Sequence, residues 1–157
     1  MRDKTCCFTG HRRIEKAKQE GLRKKLKDTI IGLIDEGYHY FGVGGALGFD
    51  TEASLAVLEL REVYPQIRLI LVFPCENQTK GWKESDIEIY ESIKARSDKY
   101  VYVSKEYTSD CMFKRNRHLV NNSSVCVCFL ESEKGGTAYT VKYAKEKGLR
   151  IINLAQE

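Results

Sequence analysis

The chain predicts an α/β fold: a Rossmann-like three-layer sandwich with a mostly parallel sheet and helices on both faces. Three observations carry that expectation. Short aliphatic runs alternate with longer amphipathic segments along the whole 157 residues. Residues 67–73 are apolar at nearly every position, which suits a strand covered on both sides in a parallel sheet. Glycine-containing turns at Gly10, Gly44-Gly45, Gly48 and Gly135-Gly136 fall where an apolar run gives way to a helical pattern.

The elements follow in order. Residues 5–8 (Thr-Cys-Cys-Phe) read as a buried strand, closed by Thr9-Gly10-His11-Arg12. Leu22, Leu26, Ile30, Leu33 and Ile34 recur at three and four, so a helix spans about 14–36, and Gly37 stops it. Residues 38–43 form the second strand, ending in Gly44-Gly45. A helix starts near Phe49 with Ala53, Ala56, Val57 and Leu60 as its inner stripe, and Pro65 lies beyond its end. The strand at 67–73 stops at Pro74. A polar loop leads to a helix over 82–96 and a strand over 99–103. A helix at 111–120, a buried strand at 124–130, a helix at 135–147 and a strand at 150–154 complete the chain. Short connections between alternating elements favour right-handed crossovers, and the first three strands are expected in the order 3-2-1. The whole of 1–157 reads as one domain.

Composition narrows the function. Hydrophobic residues at 42% beside 31% charged ones exclude a wholly disordered chain. No apolar stretch approaches the roughly 20 residues that a bilayer span needs, and the N-terminal apolar run is too short for a signal peptide, so a cytoplasmic protein without membrane contact is expected. The formal charge is only +4, and many of its cations lie between Lys16 and Lys27, where a solvated helix face explains them. That balance argues against nucleic acid as a partner. Cys6, Cys7, Cys75, Cys111, Cys126 and Cys128 contain no C-x-x-C pair, and the histidines are not spaced as zinc partners. Reduced core thiols, no metal and no cofactor are therefore expected.

In a sheet of this kind ligands bind beyond the C-terminal ends of the strands, where strand order reverses. The residues arriving there are Gly10, His11 and Arg12; Gly44, Gly45, Gly48 and Asp50; Glu76; and Gly135, Gly136 and Thr137. Glycines admit close backbone approach, and a helix N-terminus carries about half a positive charge. Three such turns on one edge, with Arg12 beside them, suit a phosphate. Asp50 reads equally as a favourable partner of a helix dipole and as an acceptor for a ribose hydroxyl. Arg115-Asn116-Arg117 lies near the same edge and can clamp a phosphate or read a hydroxyl, though a charged helix surface explains it as well. Trp82 reads first as an anchor for the third helix. The dinucleotide fingerprint and the P-loop are both absent.

Taken together, Thr9-Gly10-His11-Arg12, Gly44-Gly45-Ala46-Leu47-Gly48-Phe49-Asp50, Arg115-Asn116-Arg117 and Gly135-Gly136-Thr137 resemble the SLOG superfamily. This Rossmann-like group includes the Smf/DprA DNA-processing proteins and the LOG phosphoribohydrolases; the chain is most similar to its small YpsA/YspA-type branch. The resemblance implies a pocket for a nucleotide or an ADP-ribose-like ligand. Gly10, His11 and Arg12 would line one wall, Gly44, Gly45, Gly48 and Asp50 a second. Arg115 and Asn116 would supply the Arg-Asn motif, and Gly135, Gly136 and Thr137 would hold phosphate, with Glu76 and Trp82 overhanging. The LOG motif P-G-G-x-G-T-x-x-E has lost its third glycine and its glutamate here, since residues 134–142 read Lys-Gly-Gly-Thr-Ala-Tyr-Thr-Val-Lys. The expected function is therefore nucleotide binding in a regulatory or sensor role. Phosphoribohydrolase or N-glycosidase activity is the alternative, with Asp50, Glu76 or Glu131 as substitute carboxylates. Single-stranded DNA binding ranks third. No catalytic residue is assigned, and a homo-oligomer stays open.

Overall fold

The computed structural model describes Met1–Gln156. After a short 3-10 turn the elements run β1 (Thr5–Gly10), α1 (Lys16–Asp35), β2 (Tyr40–Val43), α2 (Phe49–Arg61), β3 (Arg68–Phe73), α3 (Glu84–Arg96), β4 (Lys99–Tyr102), α4 (Cys111–Asn121), β5 (Val125–Phe129), α5 (Gly136–Glu146) and β6 (Arg150–Asn153). All six strands are parallel, in the order β4-β3-β2-β1-β5-β6. The expected 3-2-1 order is present, with β4 outside β3.

Chain direction decides where the helices go. From β1 to β4 each crossover steps the same way across the sheet, so α1, α2 and α3 share one face. The chain then returns past β1 to β5 and β6, which puts α4 and α5 on the other face. The two cores follow this division. Leu22, Leu26, Ile30 and Leu33 of α1 meet Phe8, Phe41, Leu69 and Leu71 on the first side, while Leu119, Val120, Val141 and Ala144 meet Cys7, Cys126 and Cys128 on the second. Each fully buried Leu, Ile or Phe contributes about 1.5–3 kcal/mol. All six cysteines are free and buried, as small core hydrophobes. The Lys- and Arg-rich face of α1 is matched by carboxylates of α2: Arg23 pairs with Glu52 at 2.9 Å and Lys27 with Glu59 at 2.8 Å. No helix among the described residues is long and apolar enough to cross a membrane.

Most boundaries shift by one or two residues from the sequence expectation, β2 for instance starting at Tyr40 rather than residue 38, and three of the shifts bear on the loops beyond the strands. β1 continues through Gly10, because Thr9 and Gly10 pair with Cys128 and Phe129 of β5. α1 starts at Lys16 rather than residue 14, leaving Arg12 to Glu15 outside the helix. α3 starts at Glu84 rather than Trp82. The preceding residues form turns, with Lys80 N–H donating to Asn77 O at 3.2 Å and Trp82 N–H to Thr79 O at 3.0 Å.

Candidate functional site

The reversal of strand order lies between β1 and β5, whose following helices cover opposite faces. A cleft of about 310 Å³ opens there. Thr9, Gly10, His11 and Arg12 bring the end of β1 to it; Ala46 and Asp50 come from the β2–α2 turn. Met112, Arg115 and Asn116 reach it from α4, and Lys134, Gly135, Gly136 and Thr137 from the start of α5.

The N-terminus of α5 opens onto this cleft. Gly135 caps it at φ +100°, a conformation that L side chains rarely adopt, and a Cβ on Gly136 would meet nothing within 4 Å. Tyr139 N–H already bonds Gly135 O. Among the described residues the N–H groups of Gly136, Thr137 and Ala138 have no acceptor, so three donors at the positive end of a helix point out of the fold.

Asp50 and Arg115 form the buried floor. Each is 5% exposed. Asp50 Oδ2 accepts from Ala46 N–H at 3.1 Å, whereas Oδ1 is buried with no hydrogen-bond partner among the described residues. Burial raises the Asp50 carboxyl to about 6, against the opposing pull of Arg115, the Ala46 amide and Arg12. Arg115 donates through Nη1 to Gly44 O and through Nε to Asn116 Oδ1 at 2.7 Å, with Met112 Sδ 3.6 Å from Nη2. Burial lowers its pKa and Asp50 opposes that. The floor thus holds opposite charges that are not in direct contact, next to an open cleft. Among the described residues these two are the charged side chains that the core buries.

The other glycines shape this site from behind. Gly44 lies under Arg115, where a Cβ would fall 2.5 Å from Nη1. Gly45 faces the Phe73 ring, and Gly10 leaves room for the Phe49 ring. Gly48 sits at φ +78° with a Cβ position that would overlap the backbone of His11 and Arg12, and Phe49 N–H donates to His11 O at 3.1 Å. The first amide of α2 is therefore spent on joining two loops. His11 joins a third: its Nε2 accepts from Glu131 N–H at 2.8 Å, which fixes the proton of the neutral ring on Nδ1.

Of the residues singled out from sequence, the cleft gathers Gly10, His11, Arg12, Asp50, Arg115, Asn116, Gly135, Gly136 and Thr137. It does not gather Gly44, Gly45 or Gly48, which support its wall, nor Glu76, which is exposed with its N–H bonded to Lys105 O at 3.1 Å. Trp82 is half-buried, edge-on to Tyr90 with centroids 5.6 Å apart, and lines a small cavity of about 20 Å³ on the other side of Asp50. It anchors α3. Glu131 is tied to Lys18. Sequence reasoning quoted Thr9, Ala46 and Lys134 within its motifs without assigning them to the site, and it missed Met112. Met112 was legible, being three residues before Arg115 on the same helix face. The Ala46 side chain gave no reason to single it out within its motif, since it acts through its backbone amide.

A family model described as the YspA SLOG family matches residues 6–152. A UPF0398 protein of Bacillus thuringiensis (strain Al Hakam) is 30% identical over 132 residues, covering 82% of this chain and 72% of that protein. UPF0398 protein YpsA of Bacillus subtilis (strain 168) is 30% identical over 118 residues, covering 74% and 66%. Among solved structures, DNA processing protein A (DprA) of Streptococcus pneumoniae superposes with a TM-score of 0.70 at 16% identity, over 95% of this chain and 49% of that one. DNA processing protein A of Helicobacter pylori, described for its single-stranded DNA binding mode, gives 0.67 at 16%, over 94% and 63%. The chain thus spans about half to two thirds of these structural neighbours.

The weak net charge argued against nucleic acid, yet a neighbour of this fold is a single-stranded DNA binder. Net charge sums over the whole surface, whereas strand binding depends on local charge. The cations of α1 are offset by α2, while Arg12, Arg115 and Lys134 collect at the cleft.

Proposed function

The chain belongs to the YspA SLOG family, and from that premise we propose that its cleft holds the phosphate and sugar of a nucleotide in a binding or sensor role. The coarse class, a protein that binds nucleotides or DNA, is supported by the family and by the fold neighbours. The observation that carries the finer reading is the pairing of three unpartnered amides at the start of α5 with an unpartnered Asp50 Oδ1 across the same cleft. Anionic oxygens suit the amides, Arg12 and Arg115; a hydroxyl donor suits Oδ1. A ligand carrying both at short range is a sugar phosphate, and nucleoside phosphates and ADP-ribose are its common forms.

A second reading, cleavage of the N-glycosidic bond, draws on one observation. Of the three carboxylates the sequence offers in place of the missing glutamate, Asp50 lines the cleft and Glu76 and Glu131 do not. A carboxylate beside the sugar would stabilise an oxocarbenium-like state.

Incubation with a panel of nucleoside phosphates and ADP-ribose, read by thermal shift and by release of free base, tests both readings. At a hundred times its Kd a ligand adds about 2.7 kcal/mol, a rise of roughly 5–11 °C for a chain of this size. No shift with any of them at millimolar concentration would overturn the phosphate reading. Binding without base release favours the sensor role; release favours the hydrolase.

A further inference from the structure

At the mouth of the cleft, α4 and α5 present a ledge that the site so far described does not use. Phe113 follows the cleft residue Met112 and is 41% exposed; Tyr139 lies one helical turn after Gly136 and is 36% exposed. Their rings meet edge to face, with centroids 4.8 Å apart. The Arg117 guanidinium lies 5.7 Å from the centre of the Tyr139 ring and donates to its hydroxyl. Large aromatic side chains left open on a helix surface, beside a cation, resemble the platforms on which unpaired bases stack. Tyr139 is three residues along α5 from the free amide of Gly136, about 4.5 Å of helix rise.

We propose that the Phe113–Tyr139–Arg117 ledge is a stacking site for the base of a second nucleotide, next to the one whose phosphate the start of α5 holds, so that the cleft takes the end of a single strand. The proposal rests on the phosphate reading above. It is favoured by continuity with the cleft and by charge: Arg117 holds the ledge, and Arg12, Arg115 and Lys134 line the cleft. The aromatic faces tolerate any base, and Arg117 both braces Tyr139 and can meet the linking phosphate.

The test compares thymidine 5′-monophosphate with 5′-phosphorylated oligothymidylates of two to six nucleotides. Binding to the full chain is followed by calorimetry and by fluorescence anisotropy. The mononucleotide is expected to bind, and affinity is expected to rise at least ten-fold by three nucleotides. Tyr139→Ala is expected to weaken the oligonucleotide about five- to one-hundred-fold, as for loss of one stacked base, while leaving the mononucleotide within two-fold. Tyr139→Phe keeps the ring and is expected to retain most of the gain, and circular dichroism verifies that both variants fold. Mononucleotide binding with no gain from length overturns the ledge and leaves the phosphate reading standing. So does a length gain that Tyr139→Ala and Phe113→Ala leave intact, since phosphates alone would then explain it. Oligonucleotide binding that depends on Tyr139, without mononucleotide binding, overturns the phosphate reading and with it the placement of the ledge beside a held phosphate. No binding of either overturns both.

Discussion

Asp50→Asn separates the ligand from the fold. The wild-type carboxyl titrates at about 6 instead of 3.8, because burial penalises its charged form more than Arg115, the Ala46 amide and Arg12 favour it. The folded state therefore binds this proton more tightly than the unfolded chain does, so stability falls as pH rises from about 4 to about 6 and stays reduced above that. The full penalty is about 3 kcal/mol. In the variant, the Asn oxygen can still accept from Ala46 N–H, and the amide NH2 replaces the orphan Oδ1. An unpartnered buried NH2 costs about 1–3 kcal/mol, so the net gain at pH 7.5 is about 0–2 kcal/mol, a rise in Tm of up to roughly 8 °C. Thermal melts at pH 7.5 and pH 4 should show the gain at the first and its loss at the second. The same variant should bind a nucleoside phosphate about ten-fold or more weakly, since a charged acceptor for the sugar hydroxyl is gone. Destabilisation at pH 7.5 would refute this account and make Asp50 a structural counter-charge for Arg115. Greater stability with unchanged affinity would remove Asp50 from the ligand.

Arg12 is exposed at the rim, so Arg12→Ala should leave the melting temperature within 1–2 °C, while a nucleotide titration shows about ten-fold weaker binding from one lost charge-assisted bond. Gly48→Ala should destabilise by about 2 kcal/mol or more, because φ +78° is strained for alanine and its Cβ would strike the His11–Arg12 backbone; urea unfolding measures it. Gly136→Glu should remain folded by circular dichroism, since a Cβ there meets nothing and an acidic residue suits the first helical turn, yet it should abolish nucleotide binding by placing negative charge where the phosphate is held. A folded Gly136→Glu variant with wild-type affinity would reduce the Gly135-Gly136-Thr137 turn to a turn.

The fold was largely legible because a two-sided parallel sheet writes itself into the sequence as apolar runs. Residues 67–73, or Val125–Phe129, have few alternatives. The errors fall where a tertiary contact outweighs a local signal. Thr9 and Gly10 look like a turn, but pairing with Cys128 and Phe129 keeps them in the strand. Trp82 looks like the start of a helix, but its side chain is used against Tyr90 and the turns ahead of it delay α3. The site was legible to the extent that its residues follow strand ends. Position along the chain placed Asp50, Arg115 and Gly136 at one edge. It could not say that Arg115 is buried while Arg117 is exposed, because α4 meets the sheet on one face only.

The glycines show why a motif is a weaker guide than a cleft. The turn after β2 carries the densest glycine signal, and each of its glycines is explained by a neighbour: Arg115 over Gly44, Phe73 against Gly45, the His11–Arg12 backbone against Gly48. Those contacts bury the guanidinium and lock the first two loops together, which holds Asp50 and Arg115 in place without a ligand. The sparser Gly135-Gly136 turn has no such neighbours; its glycines meet nothing, and the amides beside them lack acceptors. A glycine that clears space for protein is fully accounted for by the fold. Open space alone does not mark a ligand site, since Gly21, Gly32, Gly81 and Gly148 also meet nothing; what sets the start of α5 apart is that Gly136 and Thr137, whose amides lack acceptors, line the cleft, and on that ground it, rather than the richer turn after β2, is where a phosphate should be sought.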